Sequence, residues 1–328
     1  GMPRNTSTHA AGVVITKRPV SDYVPLAKND DAVVCQYVMT TLEELGLLKM
    51  DFLGLRNLTV LDDAVKMVQR YKPDFTLDGI PDDDPETYEM ISQGRTAGVF
   101  QIESTGMTGV CVGLKPQNIE DITAVIALYR PGPMESIPRF IACKHDPKLV
   151  TYKHPKLIPI LSVTYGCIVY QEQVIRIFQE LGGFSLGQAD MVRRAISKKK
   201  AKEIEKERHA FVYGDPERGI PGCIANGIEE ATAQAIYDEI FDFANYAFNK
   251  AHAVSYAVVA YQTAYFKCHY TKEYMAALLT SVLDNSDKVA GYIGECRDCG
   301  ITLLPPDVNR SYDRFTVEPE GIRFGLVA

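Results

Sequence analysis

The sequence contains no run of the roughly 18 uninterrupted apolar residues that a membrane-spanning helix needs. Its most apolar stretch, residues 251–268, is interrupted by polar and charged side chains, among them His252 and Lys267. A charged segment followed by an apolar one, the mark of a secretion leader, is also missing. We therefore expect no membrane partner and a cytoplasmic location.

Several short catalytic and phosphate-binding motifs are absent as well. The sequence has no Walker A loop and no GxGxxG, GxSxG or HExxH string. The local signatures of P-loop NTPases, dinucleotide-binding folds, α/β-hydrolases and zincins are therefore missing. Nor is there an excess of positive charge, because 35 Lys and Arg face 42 Asp and Glu. Any binding of a polyanion must rest on a local patch.

Eight cysteines are scattered along the chain, which indicates reduced thiols rather than a disulfide framework. Cys296 and Cys299 form a CxxC, but no second Cys or His pair stands at the spacing of a zinc finger. A structural zinc site needs about four ligands, so we interpret the pair as two thiols near a helix end. The acidic run 82–84 is interpreted as loop and helix N-terminal charge rather than a metal site.

Two kinds of hydrophobic pattern are present. Up to about residue 56, short apolar runs at 12–15, 33–38 and 47–53 are separated by proline and Asn-Asp turns, which predicts strands. From residue 58 the apolar residues recur at helical spacing. We predict helices over 85–92, 119–128, 171–181, 189–208, 229–243, 253–268, 272–283 and 287–299, and a final hairpin over 315–324. The predicted fold class is α+β, predominantly α.

A carboxylate and an amine stand two residues apart in one apolar strand. Asp51 and Lys49 project from the same strand face, and a buried carboxylate needs a partner or a metal. One interpretation is a metal-coordinating Asp beside a phosphate-directed Lys. The other is a plain ion pair, or an Asp that caps the next turn.

A basic helix is the second candidate for chemistry. Residues 193–200 carry five cations and no anion, whereas solvated helix faces usually mix charges of both signs. If all five neutralise phosphates, the logarithm of DNA affinity would fall with the logarithm of salt with a slope of roughly −4.5. A solvated basic face remains the alternative.

Two further segments bring polar chemistry to turns. The string R-P-G-P at 130–133 forms a stiff turn beyond a helix end, so Arg130 is held rather than free. The string N-Y-A-F-N-K-A-H at 245–252 interleaves aromatic rings with cations, which suits base stacking and phosphate contact. Equally, Tyr246 and Phe248 could belong to the core.

Taken together, these segments resemble the bacterial C-family replicative DNA polymerases, the family of the DNA polymerase III alpha subunit. The resemblance runs from Ser7 to the end of the chain. It rests on long strings in the same order: T-H-A-A-G-V-V-I (8–15), G-L-L-K-M-D-F-L-G-L-R (46–56), G-V-F-Q-I-E-S (98–104), A-L-Y-R-P-G-P (127–133), Y-G-C-I-V-Y-Q-E-Q-V (165–174), A-D-M-V-R-R-A-I-S-K-K-K (189–200), F-N-K-A-H-A-V-S-Y-A (248–257) and L-P-P-D-V-N (304–309).

The resemblance implies an organisation in three parts. Residues 1–56 would be the C-terminal part of a nucleotidyltransferase-like palm domain, incomplete here. Residues 57–303 would form a large helical fingers domain. Residues 304–328 would form a hairpin leading toward a helix-hairpin-helix region.

The resemblance also implies roles for individual residues. Asp51 matches the third of three palm aspartates that hold catalytic Mg²⁺ ions, and Lys49 matches a neighbouring basic residue of the active site. Other matched positions would bind the phosphates of nucleotide or DNA: Arg130, Arg193, Arg194, Lys198, Lys199, Lys200, Lys250 and His252.

The implied function is template-directed DNA synthesis in chromosomal replication. A primer 3′-hydroxyl attacks the α-phosphate of a dNTP, and two Mg²⁺ ions stabilise the attacking and leaving oxygens. The implied partners are primer–template DNA and dNTP, with the sliding clamp and other replisome subunits joining in the longer enzyme.

In this family the other two aspartates form an Asp-x-Asp motif upstream of the matched segment. We therefore expect this chain alone not to polymerise DNA. We also expect residues 1–56 to pack incompletely and to expose apolar surface. Two alternatives stay open: a non-catalytic nucleic-acid-binding module that shares the fingers, and an error-prone C-family paralogue.

Overall fold

The computed structural model describes residues 8–29, 31–197, 201–244 and 246–327. The chain divides into two compact units, Gly1–Arg56 and Asn57–Ala328. The first carries two small sheets, and the second is built mainly from helices, with a small sheet near its end. The predicted class, α+β and predominantly α, is confirmed.

The first unit contains two antiparallel strand pairs. Strand β1 (Gly12–Ile15) pairs with β4 (Leu48–Asp51), and β2 (Leu26–Asn29) pairs with β3 (Ala32–Cys35). The three predicted apolar runs are all strands, but β3 ends at Cys35 rather than at residue 38. A short helix α1 (Met39–Glu44) lies between β3 and β4, where the sequence predicted none.

Much apolar surface of the first unit is open to solvent. Val33, Phe52 and Leu53 are 73%, 61% and 81% exposed. In contrast, Val24 and Leu42 are buried. A two-stranded sheet has two edges and cannot bury both faces of its own strands. The expected exposure of apolar side chains is therefore observed in this unit.

Helices dominate the second unit. In chain order they are α2 (Arg56–Gln69), α3 (Pro85–Ser92), α4 (Thr105–Leu114), α5 (Ile119–Leu128), α6 (Ile137–His145), α7 (Ile158–Leu161), α8 (Gln171–Gly182), α9 (Leu186–Ser197), α10 (Ala201–Tyr213), α11 (Gly222–Ala225), α12 (Glu230–Ala244), α13 (Lys250–His269), α14 (Thr271–Ser281) and α15 (Ser286–Asp298). A small sheet follows, with β5 (Leu303–Leu304) parallel and β6 (Thr316–Glu318) antiparallel to β7 (Gly321–Arg323).

Side-chain caps fix where several of these helices begin. Asp84 accepts the backbone N–H of Thr87 at the start of α3, and Pro85 occupies the first turn, where its missing N–H costs nothing. Asn118 caps α5 and Asn249 caps α13 in the same way. Such caps satisfy N–H groups that have no partner inside the helix.

Three hydrophobic clusters organise the second unit. The first joins α3, α4 and α5 to α13, and α5 is buried from Asp121 to its end. The second contains residues from each of the helices α7 through α12. The third packs α2, α14 and α15 against the small sheet. At its C-terminal end α5 leads into the turn at 130–133. Near its N-terminal end Glu120 contacts Lys250, the first residue of α13.

The predicted helices 85–92 and 119–128 match α3 and α5 residue for residue, and the predicted hairpin is confirmed as β6–β7. The prediction of one helix over 189–208 is wrong in extent, because α9 begins at Leu186 and a second helix begins at Ala201. Helices α4, α6, α7 and α11 were not predicted. In the part of the chain that the structure describes, no helix is long and apolar enough to cross a bilayer.

Candidate functional site

Asp51 and Lys49 form an ion pair on β4. Lys49 Nζ lies 2.6 Å from Asp51 Oδ1, with 17% of the lysine side chain and 43% of the aspartate side chain exposed. The pair is the strand ion pair that the spacing allowed. It also leaves an oxygen of Asp51 accessible, so a metal-binding role stays compatible with the geometry.

His9 completes this cluster, and the sequence analysis did not single it out. Its Nδ1 accepts the backbone N–H groups of Gly12 and Ala11 at 2.7 and 3.1 Å, so the other ring nitrogen is left to carry a proton. That atom, Nε2, lies 3.9 Å from Asp51 Oδ1. The available signal was the string H-A-A-G at 9–12, which runs directly into β1.

Gly12 permits this close approach. A Cβ at residue 12 would lie 2.8 Å from Lys49 Cε and 2.9 Å from His9 Nδ1, both shorter than ordinary contacts. Gly12 stands opposite Asp51 in the register of β1 and β4. A side chain here would push the lysine and histidine away from the carboxylate.

The Lys49 hydrogen bond holds the pKa of Asp51 below its ordinary value, assisted by the charges of Lys49 and His9 and opposed by desolvation. Asp51 is therefore ionised at neutral pH, as a metal ligand must be. Among the described residues, the one cluster of three metal-ligating groups lies elsewhere and does not include Asp51. These residues thus supply one carboxylate, which does not by itself fit a two-metal centre.

Arg130 is fixed at the end of α5. Its Nε donates to the carbonyl of Ala127 at 3.1 Å, and its Nη2 donates to the carbonyl of Tyr246 at 2.7 Å. The guanidinium lies 4.2 Å from the centroid of the Phe248 ring, a cation–π contact. The rigid R-P-G-P turn therefore places a cation on an aromatic face of the segment before α13.

Gly132 brings this turn close to Tyr246. It has φ +99°, and a Cβ there would meet the Tyr246 ring at 2.5 Å. The two residues form part of the wall of an open cleft of about 540 Å³. Acidic and basic side chains share its lining, including Glu135, Arg139, Lys153, Glu239 and Asp242, so the cleft has no single sign of charge.

The segment that leads into α13 is held by the start of α8. Phe248 N–H donates to Val169 O at 3.2 Å, and Gln171 N–H donates to Phe248 O at 2.9 Å. The Gln171 side chain also donates to Ala247 O at 3.0 Å. The polar string Q-E-Q at 171–173, which the sequence analysis did not assign, therefore positions the candidate site.

Lys250 is surrounded by carboxylates and a ring. Its Nζ lies 3.0 Å from Glu120 Oε1 and 5.4 Å from the centroid of Tyr170. Its backbone N–H donates to both oxygens of Glu172 at 3.1 and 3.0 Å. The predicted phosphate ligand is thus half-buried and already neutralised by Glu120, so a phosphate would have to compete with that carboxylate.

His252 belongs to a row of stacked rings along α13. Its ring centroid lies 5.4 Å from that of Phe248 and 4.3 Å from that of Tyr256. Tyr256 continues the row to Phe100 at 5.2 Å. Phe248 is half-buried and packs on the core, whereas Tyr246 is 43% exposed. The structure thus brings Arg130 and His252 together at Phe248, whereas Lys250 contacts Glu120 and the ring of Tyr170.

Arg193 and Arg194 lie on α9 and share one carboxylate. Arg193 Nη2 lies 2.8 Å from Asp190 Oδ1, and Arg194 Nε lies 2.8 Å from Asp190 Oδ2. The side chain of Arg193 is 16% exposed and that of Arg194 is 68% exposed. The Arg193 hydrogen bond in turn lowers the pKa of Asp190. Lys198, Lys199 and Lys200 lie outside the described residues.

Asp190 changes the interpretation of the basic helix. The predicted anion-free run began at Arg193. Asp190 lies three residues before Arg193 and four before Arg194, so it stands on the same helical face as both. It offsets one of the two arginine charges. This spacing is visible in the sequence, but the predicted run of residues 193–200 began after Asp190 and so left it out.

Two family models match consecutive parts of the chain. One, described as the bacterial DNA polymerase III alpha NTPase domain, matches residues 1–54. The other, described as the bacterial DNA polymerase III alpha subunit finger domain, matches residues 57–219. The chain belongs to the bacterial DNA polymerase III alpha subunit family.

Relatives across the alpha subunit family agree. The DNA polymerase III alpha subunits of Thermus aquaticus, Bacillus subtilis and Borreliella burgdorferi are 50%, 48% and 47% identical to this chain. These matches cover 99–100% of the chain but only 27–29% of each relative. The chain therefore spans less than a third of the length of these alpha subunits.

Proposed function

We propose that this chain is the part of a DNA-directed DNA polymerase that carries one palm carboxylate and the fingers. The reaction is nucleotidyl transfer from a dNTP to a primer 3′-hydroxyl in chromosomal replication. The observation that carries the catalytic part is the accessible, ionised Asp51, held by Lys49 on β4. Membership of the alpha subunit family supports the substrate class.

In this proposal Asp51 offers one oxygen ligand to Mg²⁺, which proteins hold with carboxylates and substrate phosphates. Bound Mg²⁺ would supply charge stabilisation at the attacking and leaving oxygens. Lys49 keeps Asp51 ionised and oriented. Since the described residues bring only one carboxylate to this place, we propose that the chain alone does not extend a primer.

The second unit would bind phosphates and DNA through its cations. Arg194 is the more exposed of the two α9 arginines, and in the sequence the lysines at 198–200 follow it closely. Arg130 and His252 flank the Phe248 ring, so they combine charge with a stacking surface. Lys250 would act after exchanging Glu120 for a phosphate.

The proposed partners are primer–template DNA and dNTP, and in the longer enzyme the sliding clamp and other replisome subunits. A non-catalytic module that shares the fingers is the second candidate. Asp51 argues for the catalytic proposal, because a binding module has no use for an accessible carboxylate beside a phosphate-directed lysine. An error-prone paralogue would carry the same residues and is the third candidate.

Fluorescence anisotropy with labelled primer–template DNA tests the DNA-binding part. Wild-type chain is compared at about 50 and 200 mM salt with a variant in which Arg193, Arg194 and the 198–200 lysines are alanine. If five phosphates are neutralised, wild-type affinity falls several-hundred-fold between the two salts, roughly as the −4.5 power of salt. The variant loses most of this dependence.

A matched control removes the same number of cations elsewhere in the second unit: Lys66, Lys72, Lys272, Arg310 and Arg314. It should keep the wild-type salt dependence. Equal loss in both variants would mean that only net charge matters, which contradicts a specific basic helix. A primer-extension assay with Mg²⁺ tests the other part, and extension by the chain alone would contradict the incomplete metal centre.

A further inference from the structure

We propose that the second unit holds a transition-metal site, best suited to Zn²⁺, where the end of α13 meets the start of α3. The site is formed by Cys268 and His269 on α13 and by Glu86 on α3. One ligand atom from each residue lies within 4.8 Å of the other two. This site shares no residue with the Asp51 cluster or with the contacts around Phe248.

The donor set favours zinc over magnesium. A thiolate, an imidazole nitrogen and a carboxylate oxygen are the three ligand types that Zn²⁺ takes, at about 2.0–2.3 Å. Mg²⁺ prefers oxygen ligands only. Tetrahedral bonds of these lengths separate ligand atoms by about 3.3–3.8 Å. The ligand atoms now lie within 4.8 Å of one another, so side-chain movements of about 1 Å would bring them to bonding positions.

Asp84 holds the imidazole ring of His269 by a hydrogen bond. Asp84 Oδ2 lies 2.8 Å from His269 Nε2 and also accepts the N–H and the hydroxyl of Thr87 at 2.8 and 2.6 Å. With Nε2 donating its proton to this carboxylate, Nδ1 keeps the lone pair that a metal needs. A carboxylate behind the imidazole is a common arrangement in zinc sites.

Charge at this place also favours a cation. Cys268 and His269 stand in the last turn of α13, where the carbonyl ends of the helix carry partial negative charge. Asp84 and Glu86 add two carboxylates beside the thiol.

The site is open enough to load. Glu86 and His269 are exposed and Cys268 is partly buried, so an ion can enter from solvent and keep a water as its fourth ligand. Bound metal would tie the start of α3 to the end of α13. Both helices contribute to the first hydrophobic cluster, which also contains α5. The metal would therefore stabilise the packing of that cluster.

Cobalt titration of the chelator-treated chain tests the proposal, because Co²⁺ occupies zinc sites and reports a thiolate ligand by its charge-transfer absorption. We expect one equivalent to produce this band and Zn²⁺ to remove it. C268S should abolish the band and weaken Zn²⁺ binding at least tenfold, and H269Q should weaken it as much. D84N should weaken Zn²⁺ binding about 10–100-fold through the imidazole.

The control is C299S, which removes an exposed thiol at the end of α15 and should leave the band intact. Circular dichroism confirms that each variant is folded. If C268S fails to fold, H269Q decides alone, since its side chain lies at the surface. Absence of the band in the wild type, its persistence in C268S, or an unchanged Zn²⁺ affinity in H269Q would overturn the proposal.

Discussion

The Lys144–Asp121 pair ties α6 to the start of α5, and removing the lysine should destabilise the second unit strongly. Lys144 Nζ lies 2.5 Å from Asp121 Oδ2, and the two side chains are only 7% and 3% exposed. Lys144 Nζ also donates to Lys115 O at 2.9 Å. Asp121 Oδ1 accepts the Tyr165 hydroxyl at 3.1 Å.

Lys144→Met keeps the apolar stem and deletes the charge. Asp121 is then a buried carboxylate whose remaining partners are neutral donors. Breaking a buried pair from one side costs about 3–5 kcal/mol. That is a large share of the roughly 5–15 kcal/mol that stabilises a domain, and it corresponds to a fall in Tm of about 6–20 °C.

Urea and thermal unfolding followed by circular dichroism would measure this loss. Adding Asp121→Asn to the Lys144→Met chain should recover part of the stability, because no buried charge is then left unpaired. Lys66→Met serves as the control. It removes an exposed lysine paired with Asp62 at 2.6 Å on α2, and such pairs contribute only about 0.3–0.5 kcal/mol.

A loss of less than about 1 kcal/mol in the free energy of unfolding for Lys144→Met would refute the reasoning, because an unpaired buried carboxylate should destabilise the fold by more than that. So would a double variant less stable than Lys144→Met alone. Since α5 carries Glu120 at one end and leads into Arg130 at the other, the same variant should also weaken DNA binding in proportion to unfolding.

Three further perturbations address the candidate site. Arg194→Ala should remove one phosphate contact, which lowers the salt slope of DNA binding by about 0.9 and the affinity ratio between 50 and 200 mM salt by about 3.5-fold, by anisotropy. Lys49→Met should raise the pKa of Asp51 toward its ordinary value, because the hydrogen bond from Lys49 lowers that pKa. An NMR titration of the Asp51 carboxyl carbon measures the pKa. Gly132→Ala should cost about 1–3 kcal/mol in urea unfolding, from backbone strain at φ +99° and the contact with Tyr246.

Each of these has its own contrary outcome. An unchanged salt slope for Arg194→Ala would place the DNA away from α9. An unmoved Asp51 pKa would mean that the lysine does not hold the carboxylate. Gly187→Ala is the control for Gly132→Ala, because a Cβ there meets nothing within 4 Å and replaces a glycine inside a helix. It should be neutral or stabilising.

Local patterns predicted the elements whose ends are set by nearby residues. Helix α3 begins at a proline preceded by a capping aspartate, and α5 follows a capping asparagine and carries an unbroken apolar face. Helix α4 went unpredicted because its sequence, T-G-M-T-G-V-C-V-G-L, contains three weakly helix-forming glycines. It is held by packing of Met107, Cys111 and Leu114 in the first cluster.

The chemistry of single candidates was visible in the sequence, but their partners were mostly not. The Lys49–Asp51 contact follows from strand alternation, and the sharing of Asp190 by two arginines follows from helical spacing. The contact of Arg130 with Phe248 joins residues far apart in the chain. It depends on the three-dimensional meeting of α5 and α13, which no local pattern encodes.

The chain leaves the first cluster at Tyr170 and returns to it at Phe248, and these two residues pair side by side as a parallel bridge. Helices α8 to α12 lie between them and share a core of their own. This part is therefore modular: its entry and exit are neighbours, as at sites where domain insertion and loop growth are tolerated. Because α9 lies within this part, a change in length there would move Arg193 and Arg194 while the closely spaced ends at Tyr170 and Phe248 keep Arg130 and His252 in place.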